Sequence, residues 1–156
     1  MLVGIISDTH MQKNYIKKAV DKLKECDVII HLGDNIVDVK DIEKYYNGKI
    51  INVAGNCDYF KDAPSEKIEV IDNKKFFITH GHNYNVKSTL MNLQYKAREV
   101  GADIALFGHT HIAVALFEEG IWLINPGSAG MSRRGKNSVA LIRIVDEKIL
   151  PEIILI

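Results

Sequence analysis

The chain has 156 residues, 47% of them hydrophobic and 26% charged, a balance typical of a globular domain and unlike that of a disordered or membrane-embedded chain. Twenty Lys and Arg offset twenty Asp and Glu, so the formal net charge is zero. That argues against a nucleic acid polymer as partner, because holding phosphates by charge needs a basic excess, but it leaves room for a small phosphate-bearing ligand bound by a local site.

Leu2 to Ser7 is a short apolar run of buried-strand type. Ile16, Ala19, Val20 and Leu23 follow at helical spacing and make one apolar face, with Lys17, Lys18, Lys22 and Lys24 mostly on the solvated side. Val28 to Leu32 reads as the next strand, Asp38 to Tyr46 as a short helix, and Ile50 to Ala54 as a third strand between Gly48 and Gly55. This β-α-β-α-β order predicts parallel strands joined by right-handed crossovers. In the second half, Ile68 to Ile71 and Phe76 to Thr79 flank Asp72-Asn73-Lys74 and predict a hairpin. Val86 to Val100 reads as a helix closed by Gly101. Ile104 to Phe107, Ala113 to Phe117 and Trp122 to Asn125 read as strands, and Val139 to Val145 with Ile149 to Ile154 as a terminal hairpin around Asp146-Glu147. The mixture predicts an α/β fold of two sheets packed face to face with helices outside. The apolar terminal hairpin leaves open whether it packs within the chain or across a homo-oligomer interface.

The length suits one domain of about 100–200 residues, so residues 1–156 are expected to form a single domain. No apolar run approaches the ~20 residues that span a bilayer, and no membrane partner is expected. The apolar start runs directly into Asp8 without the basic segment of a secretory leader. Cys26 and Cys57 make no C-x-x-C pair. A reducing, cytoplasmic compartment is the expectation.

Metal-ligand residue types fall where the strands end. Asp8 and His10 follow the first strand, Asp34 the second and Asn56 the third. His80 follows Phe-Phe-Ile-Thr, and His109 and His111 follow Ala-Leu-Phe-Gly. In α/β sheets the carboxyl edge is where sites are built, so residues distant in sequence can share one cavity there. Two carboxylates, one amide and four imidazoles suit borderline divalent metals, whereas an all-oxygen set would favour magnesium or calcium. Seven donors exceed one four-coordinate site and suit two metals about 3.5–4 Å apart with one carboxylate bridging. Asp34 is the expected bridge, because its loop lies between those of the first and third strands. By formal counting, two divalent ions, less Asp8, Asp34 and a bridging hydroxide, keep one positive charge, which matches a phosphodiester monoanion.

These residues resemble a known family. Asp8-Thr9-His10, Gly33-Asp34, Gly55-Asn56, His80-Gly81-His82 and Gly108-His109-Thr110-His111 match, in order, the signature of the calcineurin-like metallophosphoesterases. The short length and the Asn125-Pro126-Gly127-Ser128 segment look most like the small single-domain phosphodiesterases of bacteria and archaea. The resemblance implies a four-layer αββα sandwich of two mixed sheets flanked by helices, the metallo-dependent phosphatase-like fold. It also implies one metal held by Asp8, His10, Asp34 and His111, and a second held by Asp34, Asn56, His80 and His109. Manganese is the first choice, with nickel, zinc, iron or cobalt as alternatives. The implied reaction is hydrolysis of a small phosphodiester by in-line attack of a metal-bridging hydroxide, with Asp34 and Asn56 at the centre of the chemistry.

One position departs from the pattern. Many members of the wider superfamily carry a histidine after Gly-Asn that helps protonate the leaving oxygen. This chain has Cys57 there, followed by Asp58, and both are candidate catalytic residues. A thiol with a reference pKa near ~8.5 is a poorer proton donor than an imidazolium. His82 is a candidate substrate contact. So is Arg133, in a small basic loop with Arg134 and Lys136. Taken singly, His10, His109 and His111 would more often be surface or hydrogen-bonded core histidines. Their fixed order with Gly and Asp neighbours reverses that reading. His31 lies inside a strand and is expected to be packed and hydrogen-bonded.

Two other functions compete with the phosphodiesterase. One is a non-catalytic protein-interaction scaffold on the same fold, like the small subunit of retromer. Retention of all seven donors argues against it, since a scaffold gains nothing from so costly a polar cluster. The other is a DNA nuclease, which the neutral charge and the absence of a capping domain place last.

Overall fold

The computed structural model describes residues 1–59 and 63–156. In chain order its elements are β1 (Leu2–Ile6), α1 (Lys13–Leu23), β2 (Val28–His31), α2 (Val39–Ile42), β3 (Lys49–Asn52), β4 (Glu66–Ile71), β5 (Lys74–Thr79), α3 (Met91–Glu99), β6 (Ile104–Leu106), β7 (Ala113–Glu118), β8 (Ile121–Pro126), β9 (Ser138–Val145) and β10 (Lys148–Leu155). The strands make two five-stranded sheets, ordered β10-β9-β1-β2-β3 and β4-β5-β6-β8-β7. β1, β2 and β3 run parallel, as the alternating pattern predicts, and so do β5, β6 and β8. Antiparallel β9 and β10 widen the first sheet, and β4 and β7 the second, so both sheets are mixed.

Side-chain alternation along the strands creates the layers. Val3 and Ile5 of β1 join Val28, Ile30, Phe76, Ile78 and Ile104 in a core between the two sheets. Ile6 faces the other way and packs on Ile16, Ala19, Val20 and Leu23, the face that helical spacing assigns to α1. On the second sheet Phe77, Ala105 and Phe107 face outward and bury Leu93 and Ala97 of α3. The outcome is the expected four-layer αββα sandwich. The β9–β10 hairpin packs within the chain: β9 pairs with β1, and Ile142 and Ile144 enter the central core. No helix among the described residues is long and apolar enough to cross a membrane.

Two helices are shorter than their apolar spacing predicts. In place of a helix over 86–100, α3 begins at Met91. Asn85 is left-handed (φ 53°), and its carbonyl accepts the N–H groups of Ser88 and Thr89, so this stretch turns instead of winding. The Thr89 hydroxyl then accepts the Met91 N–H, a local bond that competes with continuing a helix upstream. The other end is as expected: Gly101 is left-handed, with Gly101 N–H bonded to Arg98 O and Ala102 N–H to Ala97 O, a Schellman cap. The helix predicted over 38–46 shrinks to Val39–Ile42 after a 3₁₀ turn at Ile36–Asp38. Beyond it Tyr45 N–H reaches back only three residues, to Ile42 O, while the Tyr46 hydroxyl is drawn inward to Cys26 O at 2.9 Å.

His31, at the end of β2, is wholly buried. Its Nδ1 accepts Gly33 N–H at 3.2 Å and its Nε2 lies 3.2 Å from Thr9 Oγ1, an arrangement that suits a neutral ring donating through Nε2. Burial pushes the imidazole down from 6.5 to about 4, against the opposing pull of Asp38. The unfolded chain therefore takes up a proton at higher pH than the folded one, and stability falls as pH drops from 6.5 toward 4. At about 1.4 kcal/mol per pH unit, His31 should account for a loss of about 2 kcal/mol between pH 6.5 and about pH 4.5. Urea unfolding of metal-free protein at the two pH values should show that loss reduced by this amount in His31→Gln.

Candidate metal centre

The carboxyl ends of β1, β2 and β3 in one sheet meet those of β5 and β6 in the other. Backbone bonds tie the loops there: Asp8 N–H to Gly33 O at 3.1 Å, and Gly108 N–H to His80 O at 2.9 Å. His80 Nδ1 donates across the sandwich to Leu32 O at 2.8 Å. Asp8, Asp34, His80 and His111 are buried, and His10 and His109 are half-buried.

Two donor clusters form. Asp8, His10, Asp34 and His111 each bring one ligand atom within 4.8 Å of the others, and Asp34, His80 and His109 do the same. Ligands bonded to one ion at about 2.0–2.2 Å lie within about 4.4 Å of each other, so these spans approach a coordination shell. Asp34 belongs to both clusters. Within the first, His111 Nε2 lies 3.1 Å from Asp8 Oδ1 and 3.3 Å from His10 Nε2. Within the second, His80 Nε2 lies 3.4 Å from Asp34 Oδ1. Asn56 Oδ1 is buried without a hydrogen-bond partner, on the loop whose Cys57 N–H reaches Asp34 Oδ1 at 2.9 Å. Asp8 Oδ1 and His80 Nε2 are equally buried and have no partner besides the neighbouring ligand atoms of His111 and Asp34. Such orphans cost on the order of 1–3 kcal/mol each unless something satisfies them, and all three are atoms that would coordinate a cation. The ring orientations agree. His80 Nδ1 and His111 Nδ1 are both engaged by backbone oxygens, Leu32 O and Met131 O, which turns each Nε2 lone pair inward.

Burial alone would raise the Asp8 carboxyl, but the His111 hydrogen bond and the His80 charge hold it below its ordinary value. Asp34 is lowered likewise, burial being opposed by His80 and by the Cys57 N–H at 2.9 Å. Burial would lower His80, yet its bond to Asp34 and the Asp8 charge raise it. His111 is raised by its bond to Asp8 against burial. His109 has no such partner, and burial with the charges of His80 and Lys87 pushes it down to about 4. The pocket therefore draws in positive charge, and cations entering it displace protons.

The backbone is bent to aim these groups. Asp8, His10, Asp34, His109 and His111 all have φ between 45° and 65°, a region side chains with a Cβ avoid. Gly108 allows the His-Thr-His loop to close on β1: a Cβ there would fall on Ser7 Oγ and lie 2.8 Å from Asp8 Oδ2. Ser7 Oγ donates to Asp8 Oδ2 at 2.5 Å. Asn125 Nδ2 donates to Gly108 O and Thr110 Oγ1, and Ser128 Oγ to Asp8 O. Asn125, Ser128 and Ser7 thus brace the donor loops, a role that residue type alone does not announce.

The remaining candidates stand around this cluster. Asp58 lies beneath the loops, and its carboxylate accepts three backbone N–H groups: Asp34 at 3.0 Å, Ile36 at 2.9 Å and Gly55 at 2.9 Å. Cys57 is exposed, and its Sγ lies 3.5 Å from Asn56 Nδ2. Burial and the Asp34 charge push its thiol up to about 11. The His82 ring is 5.5 Å from His80 and 6.2 Å from His109, and its Nδ1 is buried without a partner. Arg133 donates its N–H to His111 O at 3.3 Å while its side chain borders a groove beside the cluster.

Removing the Asp58 carboxylate should free the loops that carry Asp34 and Asn56. Asp58→Ala is expected to weaken divalent-metal binding about 10–100-fold, the usual cost of losing a group that orients metal ligands. Asp58→Asn, which keeps one acceptor oxygen, should recover part of it. Calorimetric titration of both variants checks this.

Residues 1–147 match the family model of the calcineurin-like phosphoesterase superfamily domain. The chain is 35% identical over 151 residues to the probable metallophosphoesterase YsnB of Bacillus subtilis, covering 94% of this chain and 86% of that one. It is 34% identical over 145 residues to phosphodiesterase MJ0936 of Methanocaldococcus jannaschii, covering 81% and 83%. Vacuolar protein sorting-associated protein 29 of Schizosaccharomyces pombe is 31% identical over 162 residues, covering 99% and 83%. The crystal structure of a predicted phosphoesterase from Streptococcus pneumoniae is similar with a TM-score of 0.84 at 26% identity, covering 99% of this chain and 88% of that one. Motifs, fold and relatives converge: the chain belongs to the calcineurin-like phosphoesterase superfamily.

Proposed function

We propose that residues 1–156 act as one dinuclear, metal-dependent phosphodiesterase domain that hydrolyses a small diester. The observation that carries this reading is the position of Asp34, common to two donor clusters in which the ligand atoms of Asp8 and His80 are buried with no partner outside the clusters. Asp8, His10, Asp34 and His111 would hold one ion, and Asp34, Asn56, His80 and His109 the other. The mixed oxygen and imidazole donors favour manganese, with nickel, zinc, iron or cobalt as alternatives. Divalent ions bound there supply an acidified water and positive charge for the phosphate oxygens.

The chain's own groups do the rest. Leu32 O and Met131 O fix the imidazoles of His80 and His111. Cys57 N–H and Asp58 hold the Asp34 loop, which makes Asp58 a positioning residue. His82 and Arg133 bind substrate at the rim. The Cys57 thiol is a weaker acid than the imidazolium the wider family carries at this place, so the domain suits diesters whose leaving groups need little protonation. Both cysteines are free, which fits a reducing, cytoplasmic setting.

A protein-interaction scaffold on the same fold is the second reading, favoured by the vacuolar sorting relative. Metal analysis separates the two. The phosphodiesterase should take up two equivalents of manganese and hydrolyse bis(4-nitrophenyl) phosphate. Asp34→Asn should reduce that activity by more than about 100-fold, since even groups that only orient a ligand cost about 10–100-fold. Protein that takes up no metal and turns over no diester is the scaffold. Cys57→His should raise kcat on diesters with poor leaving groups more than on nitrophenyl esters, measured as the ratio of the two rates.

A further inference from the structure

Beside the donor cluster lies a groove of about 390 Å³, within the range of small-molecule sites. Val86, Leu90, Phe107, Ile112 and Val114 make its walls. Lys87 and Arg133 are its charged residues, and among the described residues no acidic one lines it. It adjoins the loop that carries two of the donors: Thr110 on its wall stands between His109 and His111 in the chain, and Arg133 N–H bonds to His111 O. The one neutral polar side chain, Thr110, is already engaged: its hydroxyl lies 3.0 Å from Asn125 Nδ2, 3.2 Å from Ile112 N and 3.4 Å from Ile112 O.

We propose that this groove receives one ester substituent of the substrate and selects diesters in which that substituent is an aromatic ring. The inference rests on the phosphodiesterase reading and adds the substrate class. A sugar or other polyhydroxylated group would set hydroxyls against Val86, Leu90 and Val114, where only Lys87 and Arg133 could pair with them, and each hydroxyl left unpaired weakens binding. A ring covers the same walls without that loss. Lys87 and Arg133 attract the diester's single negative charge, and a guanidinium or ammonium near an aromatic face gains where an aliphatic group would not. Bare phosphomonoesters leave the walls wet.

Calorimetry on manganese-loaded protein tests this with diphenyl phosphate and dimethyl phosphate as probes. Diphenyl phosphate should bind at least about tenfold more tightly. Val114→Trp fills the groove and Leu90→Asp places a carboxylate in it; each should abolish that preference. The ratio of kcat/KM for bis(4-nitrophenyl) phosphate over methyl 4-nitrophenyl phosphate should fall at least about tenfold in the same variants. Equal binding of the two probes, or variants that weaken both alike, overturns the groove assignment while the metal centre stands. Failure of wild-type protein to take up manganese overturns the centre, and the assignment with it.

Discussion

The dominant constraint in this molecule is electrostatic. Asp8, Asp34 and the inward-facing nitrogens of His10, His80 and His111 are brought together in a space that admits little water. Lone pairs held 3.1–3.4 Å apart repel unless something positive lies among them. Protons can serve, and the raised imidazoles of His80 and His111 show the pocket recruiting them. Divalent cations serve better, because one ion satisfies several lone pairs at once. The unpartnered oxygens of Asp8 and Asn56 then cease to be a defect.

The sandwich exists in a form that meets this demand. Three parallel strands of one sheet and two of the other deliver their carboxyl ends to a common edge, so that six clustered donors arrive from four separate loops, with Asn56 on a fifth. The apolar core directly behind, from Val3 to Ile142, is rigid enough to impose left-handed backbone on five of those donors. Strain at the loops is offset by packing in the sheets, and by main-chain bonds through Asp58, Ser128 and Asn125. Stability and function are thus assigned to opposite ends of the same strands.

Much of this was legible in the residue order. Strand runs such as Leu2 to Ser7 end abruptly in Asp-x-His, Gly-Asp, Gly-Asn or His-x-His, and those punctuation marks identify the donors. The face of α1 follows from spacing alone. Helix limits did not, because the start of α3 is decided by a left-handed Asn85 and the end of α2 by where Tyr46 finds a buried carbonyl. The bracing role of Asp58 was hidden for a related reason: two of its three partners are main-chain N–H groups more than twenty residues upstream, and main-chain donors carry no sequence signal. The groove escaped notice because its walls come from the turn before α3, from β7 and from the loop holding Arg133.

The bond from Cys57 N–H to Asp34 Oδ1 has an evolutionary implication. Residue 57 supports the shared carboxylate through its main chain, so any amino acid except proline preserves that support. Its side chain meanwhile stands exposed next to Asn56. A lineage can therefore exchange the side chain at this spot by single substitutions that leave the main-chain support of Asp34 intact. Side-chain variation is uncoupled from bracing of the donor cluster at one residue.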